Sequence, residues 1–184
     1  MKKSLIILIV SLFSIASQAQ VFNTGQTLKK GVLSLGVEPV MHINGGANGF
    51  VLFAHAGYGL KSGIDVAVKF GLDNPKYFGA DLEFALGKRF SVAVGAHNYN
   101  NFGLDGTFNF VFPINSDVRI YSGLDADINF WTDSNDELNT NIPFWIPVGL
   151  EVGLSSNMNL IFESEIGINN NAYHIIGGGL NFYF

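Results

Sequence analysis

From residue 31 onward, apolar side chains recur at every second position in stretches of about ten residues, each ended by a cluster of Gly, Asn, Asp, Ser or Pro. Alternation with period two, punctuated by turn residues, is the pattern of half-buried β-strands. It predicts ten strands, near 31–42, 49–60, 63–72, 78–87, 90–98, 104–113, 118–131, 142–154, 158–168 and 173–184. The connections alternate in kind: 61–63, 88–89, 114–117 and 155–157 are tight, whereas 43–48, 73–77, 98–103, 132–141 and 169–172 are longer and polar. Short turns at one end and longer loops at the other describe an up-and-down meander of hairpins. The longest loop, 132–141, has only ten residues, too few for a lid or a large binding head.

The two faces of these strands differ sharply. One carries residues such as Leu33, Leu35 and Val37, then Phe108, Phe110 and Phe112, then Leu160, Phe162 and Ile166, with no charge anywhere in that parity. The other carries Glu38, Asp65, Lys69, Asp81, Glu83, Asp105, Arg119, Asp125, Asp127, Glu151, Glu163 and Glu165. Alternation alone fits either a soluble sandwich with an apolar core or a barrel with an apolar outside and a polar lumen. The polar face decides between them. It has two basic residues, many glycines (Gly36, Gly57, Gly95, Gly149 and Gly179 among them) and large rings at Tyr121, Trp131, Trp145, Tyr173 and Tyr183. Glycine beside bulky rings suits a crowded, curved interior better than an open wet surface. Strands of about ten residues also match the ~9–11 that a tilted strand needs to cross a bilayer. Because lipid offers backbone amides no partner, such a sheet must close on itself. The expected fold is therefore all-β, a closed antiparallel up-and-down transmembrane barrel of ten strands over 31–184, with eight strands plus an amino-terminal extension as the alternative.

The amino end changes the chain to be folded. Lys2 and Lys3 precede an apolar stretch from Leu5 to Ala16, and Ser17-Gln18-Ala19 supplies small residues where a signal peptidase reads them. At 12 residues the stretch is shorter than the roughly 20 of a spanning helix. The expectation is a cleaved signal over 1–19, a short periplasmic segment over 20–30, and transport across the inner membrane. Removing Lys2 and Lys3 from ten basic residues leaves eight against 15 acidic, a mature net charge of −7. Nothing in that balance would neutralise a phosphate backbone, so no nucleic-acid partner is expected. The chain has no Cys, which excludes disulfides and thiol chemistry.

The last strand ends Gly179-Leu180-Asn181-Phe182-Tyr183-Phe184, with apolar residues at alternate places and Phe in the final position. This resembles the carboxyl-terminal signature of bacterial outer-membrane β-barrels. The whole mature chain resembles the small porin-family, or outer-membrane beta-barrel, proteins of Bacteroidota-like genomes. The resemblance implies an outer-membrane location in a Gram-negative envelope. It makes Leu180, Phe182 and Phe184 the signal that the barrel assembly machinery reads, and outer-membrane lipids the surroundings. It also implies short turns in the periplasm and longer loops outside. Lys29, Lys30, Lys61, Lys88 and Arg89 then lie near the periplasmic edge, with Asp73, Asp133, Asp136 and Glu137 outside. The outward face has no polar stripe that would demand a partner, so a monomer is expected.

Any activity must reside in the lumen. Simple hairpin registers set His55 opposite Lys69, Lys69 opposite Asp81, and Asp125 and Glu163 on either side of Gly149. The lumen residues are Glu38, Asp65, Lys69, Asp81, Glu83, Arg119, Asp125, Asp127, Glu151, Glu163 and Glu165. They read either as a plug of paired charges in a structural or interaction barrel, or as an acidic lining that draws cations through a narrow porin-like channel. His42, His97 and His174 fall near the outer strand ends, at heights similar to Asp105, Asp127 and Glu165. A His97–Asp105 acid/base pair is geometrically conceivable. Yet His174 has lipid-face parity, no His-x-x-x-His spacing exists, and Ser122 and Ser164 also face lipid. No phosphate loop, CxxC motif or nucleotide fingerprint is present. The expectation is no catalytic residue, no metal, no cofactor and no enzyme activity, with a lipid-modifying enzyme as a distant alternative.

Overall fold

A computed structural model describes residues 25–44, 47–72, 76–99 and 101–184. The expected signal segment 1–19, and Asp73, lie outside the described residues. Those residues form eleven strands and no helix: β1 Leu33–Asn44, β2 Ala47–Lys61, β3 Ile64–Gly71, β4 Tyr77–Ala85, β5 Phe90–Tyr99, β6 Asn101–Pro113, β7 Val118–Thr132, β8 Leu138–Asn141, β9 Phe144–Ser155, β10 Met158–Gly167 and β11 His174–Tyr183. β1 to β7 are neighbours in chain order, β7 pairs with β9, and β9, β10 and β11 lead back to β1. The architecture is a closed antiparallel ten-stranded barrel with one extra strand outside the ring. The eight-stranded alternative is thereby ruled out. At the seam, Leu33 and Phe184 exchange both backbone hydrogen bonds, at 3.1 and 2.9 Å. Closure leaves no unpaired edge around the ring.

β8 departs from expectation, because it falls inside what reads as the 132–141 loop. Over Val118–Ala126, β7 pairs with β9, but its last residues, 129–132, pair with β8 instead. The connection is a hairpin that prolongs β7 beyond the ring. Asp133 organises its tip: its Oδ1 accepts hydrogen bonds from the Asn135 and Glu137 amides at 2.8 and 3.0 Å, and Asp136 takes a φ of 61°. Pro143 separates β8 from β9, and having no N–H it cannot continue the ladder as a donor. Its carbonyl still accepts from the Asp127 amide at 3.2 Å.

The outward face is predominantly apolar. Phe50, Phe78, Phe102 and Phe162 are each about half exposed, as are Leu124, Val94 and Ile176. In a water-soluble protein an apolar surface encircling the whole molecule would be an aggregation hazard. In a bilayer it is the required lipid face. Along β5, β6 and β7, rings meet in register near both ends, Phe102 with Phe130 at one and Phe90 with Phe110 at the other, with Ala96, Leu104 and Ile128 between. Rings at both ends of an aliphatic band fit the aromatic girdles of membrane barrels. Leu180, Phe182 and Phe184 have this outward parity too, with Phe184 exposed.

Candidate functional site

The inward face is not uniformly polar. Val40, Val51, Phe53, Val111, Tyr121, Trp145, Ile161 and Ile175 form one buried apolar cluster inside the barrel. At its centre Tyr121, Ile161 and Glu38 are each 0% exposed. Two glycines make the room. Tyr121 pairs across the sheet with Gly149, and any Cβ there would run into the Tyr121 ring. A Cβ at Gly179 would likewise run into the Glu38 side chain. The tight layer that results divides the lumen into two chambers. His55 stands beside Glu38, its Nδ1 3.4 Å from Glu38 Oε1.

The chamber at the turn end, where both described ends of the chain lie, has a volume of about 500 Å³. Part of its wall is the chain's own residues 26–29. The Leu28 amide donates to Asp65 Oδ2 at 2.5 Å, and the Arg119 guanidinium donates to the Gln26 side chain. The other arm of Arg119 reaches Glu151 Oε1 at 2.7 Å, and that same oxygen accepts from Asn159. Gly25 is buried, with Val111 and Asn109 beside it. The stretch expected as a periplasmic segment is therefore folded, over residues 25–29, into the mouth of the barrel.

The chamber at the loop end holds about 470 Å³ and is built differently. Tyr77, Tyr99, Trp131, Trp145 and Tyr173 supply ring surface, and Asp105, Asp125, Asp127, Glu163 and Glu165 supply carboxyl groups. Several of these side chains are fixed by neighbours. The Trp145 indole N–H donates to the Tyr173 carbonyl at 2.8 Å, and Thr107 donates to Asp125 Oδ1 at 2.5 Å. Lys69 Nζ lies 2.5 Å from Asp81, with both side chains buried. His97 is buried against Tyr77, their rings 5.5 Å apart and stacked. Its Nδ1 is 3.2 Å from Asp105 Oδ2, its Nε2 is 3.0 Å from Asn129 Oδ1, and Asp127 stands 4.0 Å away. The His97–Asp105 pair thus forms, but both ring nitrogens are held within the wall. Among the described residues no three His, Asp or Glu side chains are grouped closely enough to hold a metal ion.

No protein-family model matches the sequence, and none of the curated proteins does. Solved structures do match in shape. The NanC porin is 9% identical, with a TM-score of 0.52 over 80% of this chain and 98% of that one. The amino-terminal barrel domain of OprF from Pseudomonas aeruginosa is 14% identical over 85% of this chain and all of that one, at a TM-score of 0.40. Ail from Yersinia pestis is 15% identical over 84% of this chain and all of that one, at 0.45. Of the three, the NanC likeness is the one close enough to carry the fold. The chain has the fold of a small outer-membrane β-barrel.

Within this barrel all eleven lumen residues read from parity face inward, and nine of them are buried; Arg119 and Asp127 are partly open to the chambers. Glu83 joins Asp65, Arg119 and Glu151 at the turn end, and Lys69, Asp125, Asp127, Glu163 and Glu165 line the loop end. Two registers differ from expectation. His55 does face Lys69, but Lys69 faces Gly79, and its bond to Asp81 runs diagonally. Tyr121, not Asp125, stands across from Gly149, and Asp125 faces Trp145. The difference of four residues arises because β9 begins pairing with β7 only below the β8 hairpin. His174 is exposed on the outward face, as its parity implied, and accepts a hydrogen bond from the Gly167 amide at 3.1 Å. The rings of His42 and Tyr173 meet at a tilt of 41°, their centroids 4.7 Å apart. Sequence reasoning did not single out Tyr77, Thr107 or Asn129, although their inward parity was available. It also missed Val40, Val111 and Ile161, whose apolar character hid them in a face read as polar.

Proposed function

We propose that this protein is a monomeric outer-membrane barrel with a closed lumen, serving a structural or interaction role in the envelope rather than conducting solutes or catalysing a reaction. The observation that carries this reading is that Tyr121, Ile161 and Glu38, packed inside the lumen, are wholly buried. Its support is that both inward basic residues are matched locally, Lys69 with Asp81 and Arg119 with Glu151. In this reading outer-membrane lipids surround the apolar girdle, the barrel assembly machinery reads the last strand, and residues 1–19 are removed as a signal. His97, with both ring nitrogens engaged in the wall, supports a structural part for the His97–Asp105 pair.

Two measurements test this. Outer-membrane fractions run unboiled and boiled should show a heat-dependent gel shift at the mature mass, since closed barrels stay folded in cold detergent. Planar bilayers holding the purified barrel should show no discrete conductance steps. The second reading, a narrow cation-preferring channel, rests on the surplus of carboxyl groups in the loop-end chamber. Steady cation-selective steps whose reversal potential moves in Asp125→Asn or Glu163→Gln would establish it and end the closed-lumen reading.

A further inference from the structure

We infer that the loop-end chamber is a binding pocket for an organic cation carrying more than one ammonium group, a linear polyamine being the simplest member of the class. Its volume of about 470 Å³ lies within the ~300–1,000 Å³ of small-molecule sites. Asn101 and Asn171 on its wall are exposed, so the pocket opens at the loop end, while the wholly buried Tyr121, Ile161 and Glu38 lie beyond its lining on the side away from the loops. It is a cup with a floor.

The wall chemistry selects the occupant. Five carboxyl groups, from Asp105, Asp125, Asp127, Glu163 and Glu165, face one Lys or Arg side chain among the described lining residues, and that Lys69 is committed to Asp81. An anion would meet repulsion on every side. Glu163 lines the cavity and is 95% buried; its carboxyl group meets the Tyr121 hydroxyl and Glu165, and its Oε2 has no further donor among the described residues. A buried carboxyl oxygen short of donors is costly unless something supplies one. The carboxyl groups are too dispersed to converge on a metal ion, which favours charges spaced along a flexible chain. Between them, Tyr77, Tyr99, Trp131 and Tyr173 offer ring faces that attract ammonium groups and cover methylenes. This pocket is independent of whether the barrel has a structural role, because a closed floor and a ligand cup are compatible.

The protein carries its own reporter, since its two tryptophans, Trp131 and Trp145, both line this chamber. Spermidine should be titrated into the detergent-folded barrel at constant ionic strength, with intrinsic fluorescence as the readout. A saturable change is expected, weakened at least tenfold in Glu163→Gln and unchanged in Glu137→Gln, which alters an exposed acid on the outer hairpin. Should Glu163→Gln fail the heat-shift criterion of a folded barrel, Asp127→Asn takes its place with the same expectation. The proposal is overturned if spermidine gives no saturable signal, if sodium chloride of equal ionic strength reproduces the signal, or if the folded lumen variant binds as tightly as the parent. It is also overturned if maltose gives an equal saturable change, which would make the cup a neutral-sugar site.

Discussion

The two ends of the lumen solve the same problem in opposite ways. A ten-stranded cylinder encloses more space than a single layer of inward side chains fills, and buried polar groups in that space need partners. At the turn end the chain supplies them itself: residues 25–29 enter the mouth, and a backbone amide satisfies Asp65 while a side-chain amide satisfies one arm of Arg119. At the loop end no segment of the described chain enters. Rings and carboxyl groups instead surround an open cup, although the hairpin of β7 and β8 rises directly beside it. The chain's own residues enter one chamber and make hydrogen bonds there, while the other is left open to something from outside. The layer between them makes that asymmetry possible.

Removing the layer should therefore have the largest effect. Tyr121→Ala deletes a wholly buried ring that also meets Gly149, and truncations of this size cost about 3–5 kcal/mol in well-packed interiors. The urea midpoint of the refolded barrel should fall accordingly, and bilayer recordings should change from silent to conducting as the two chambers join. Retained silence with a fully lowered midpoint would show that the partition does not depend on this ring. A smaller effect is expected at the turn end. Asp65→Asn weakens the bond that holds the Leu28 amide, worth about 1.5–3 kcal/mol for a charged acceptor. Hydrogen exchange over residues 25–29 should rise while the fluorescence of Trp131 and Trp145 stays fixed. A fluorescence change as large as the exchange change would mean that the two chambers are coupled through the layer.

The strands and the direction of their faces were legible because both follow from period two, and a period survives errors of a few residues in boundary. Charge segregation was legible for the same reason, since one misplaced Asp on the outward face would have broken it. What was not legible has physical causes. β8 is four residues, Leu138–Asn141, flanked by the acids of a turn and by Pro143, and is too short to show alternation. The register of β7 on β9 depends on where that hairpin ends, so the Tyr121–Gly149 contact could not be placed, even though a Gly opposite a large ring is a recurrent way to fill a narrow barrel. Residues 25–29 have no period at all, and their place in the lumen comes from hydrogen bonds to Asp65 and Arg119 that are 37 and 93 residues away in the chain.

The smallest expected effect tests whether the β7–β8 hairpin belongs to the pocket or merely stands above it. Asp133 accepts two backbone amides at the hairpin tip, beyond the ring of ten. Asp133→Ala removes the one oxygen that accepts both bonds in a solvent-exposed setting, where water replaces it and the net cost is about 0.5–1.5 kcal/mol per bond at most. That loss is local, because β8 pairs only with the last residues of β7 while the ring closes without it through β7 and β9. Amide exchange over 133–141 should quicken, with the heat-shift temperature of the barrel unchanged. Trp131 decides the rest: it pairs with Asn139 of β8 and also lines the cup. If its fluorescence moves when the tip is loosened, the hairpin shapes the mouth of the pocket and would control entry; if it does not, the cup is set by the ring alone.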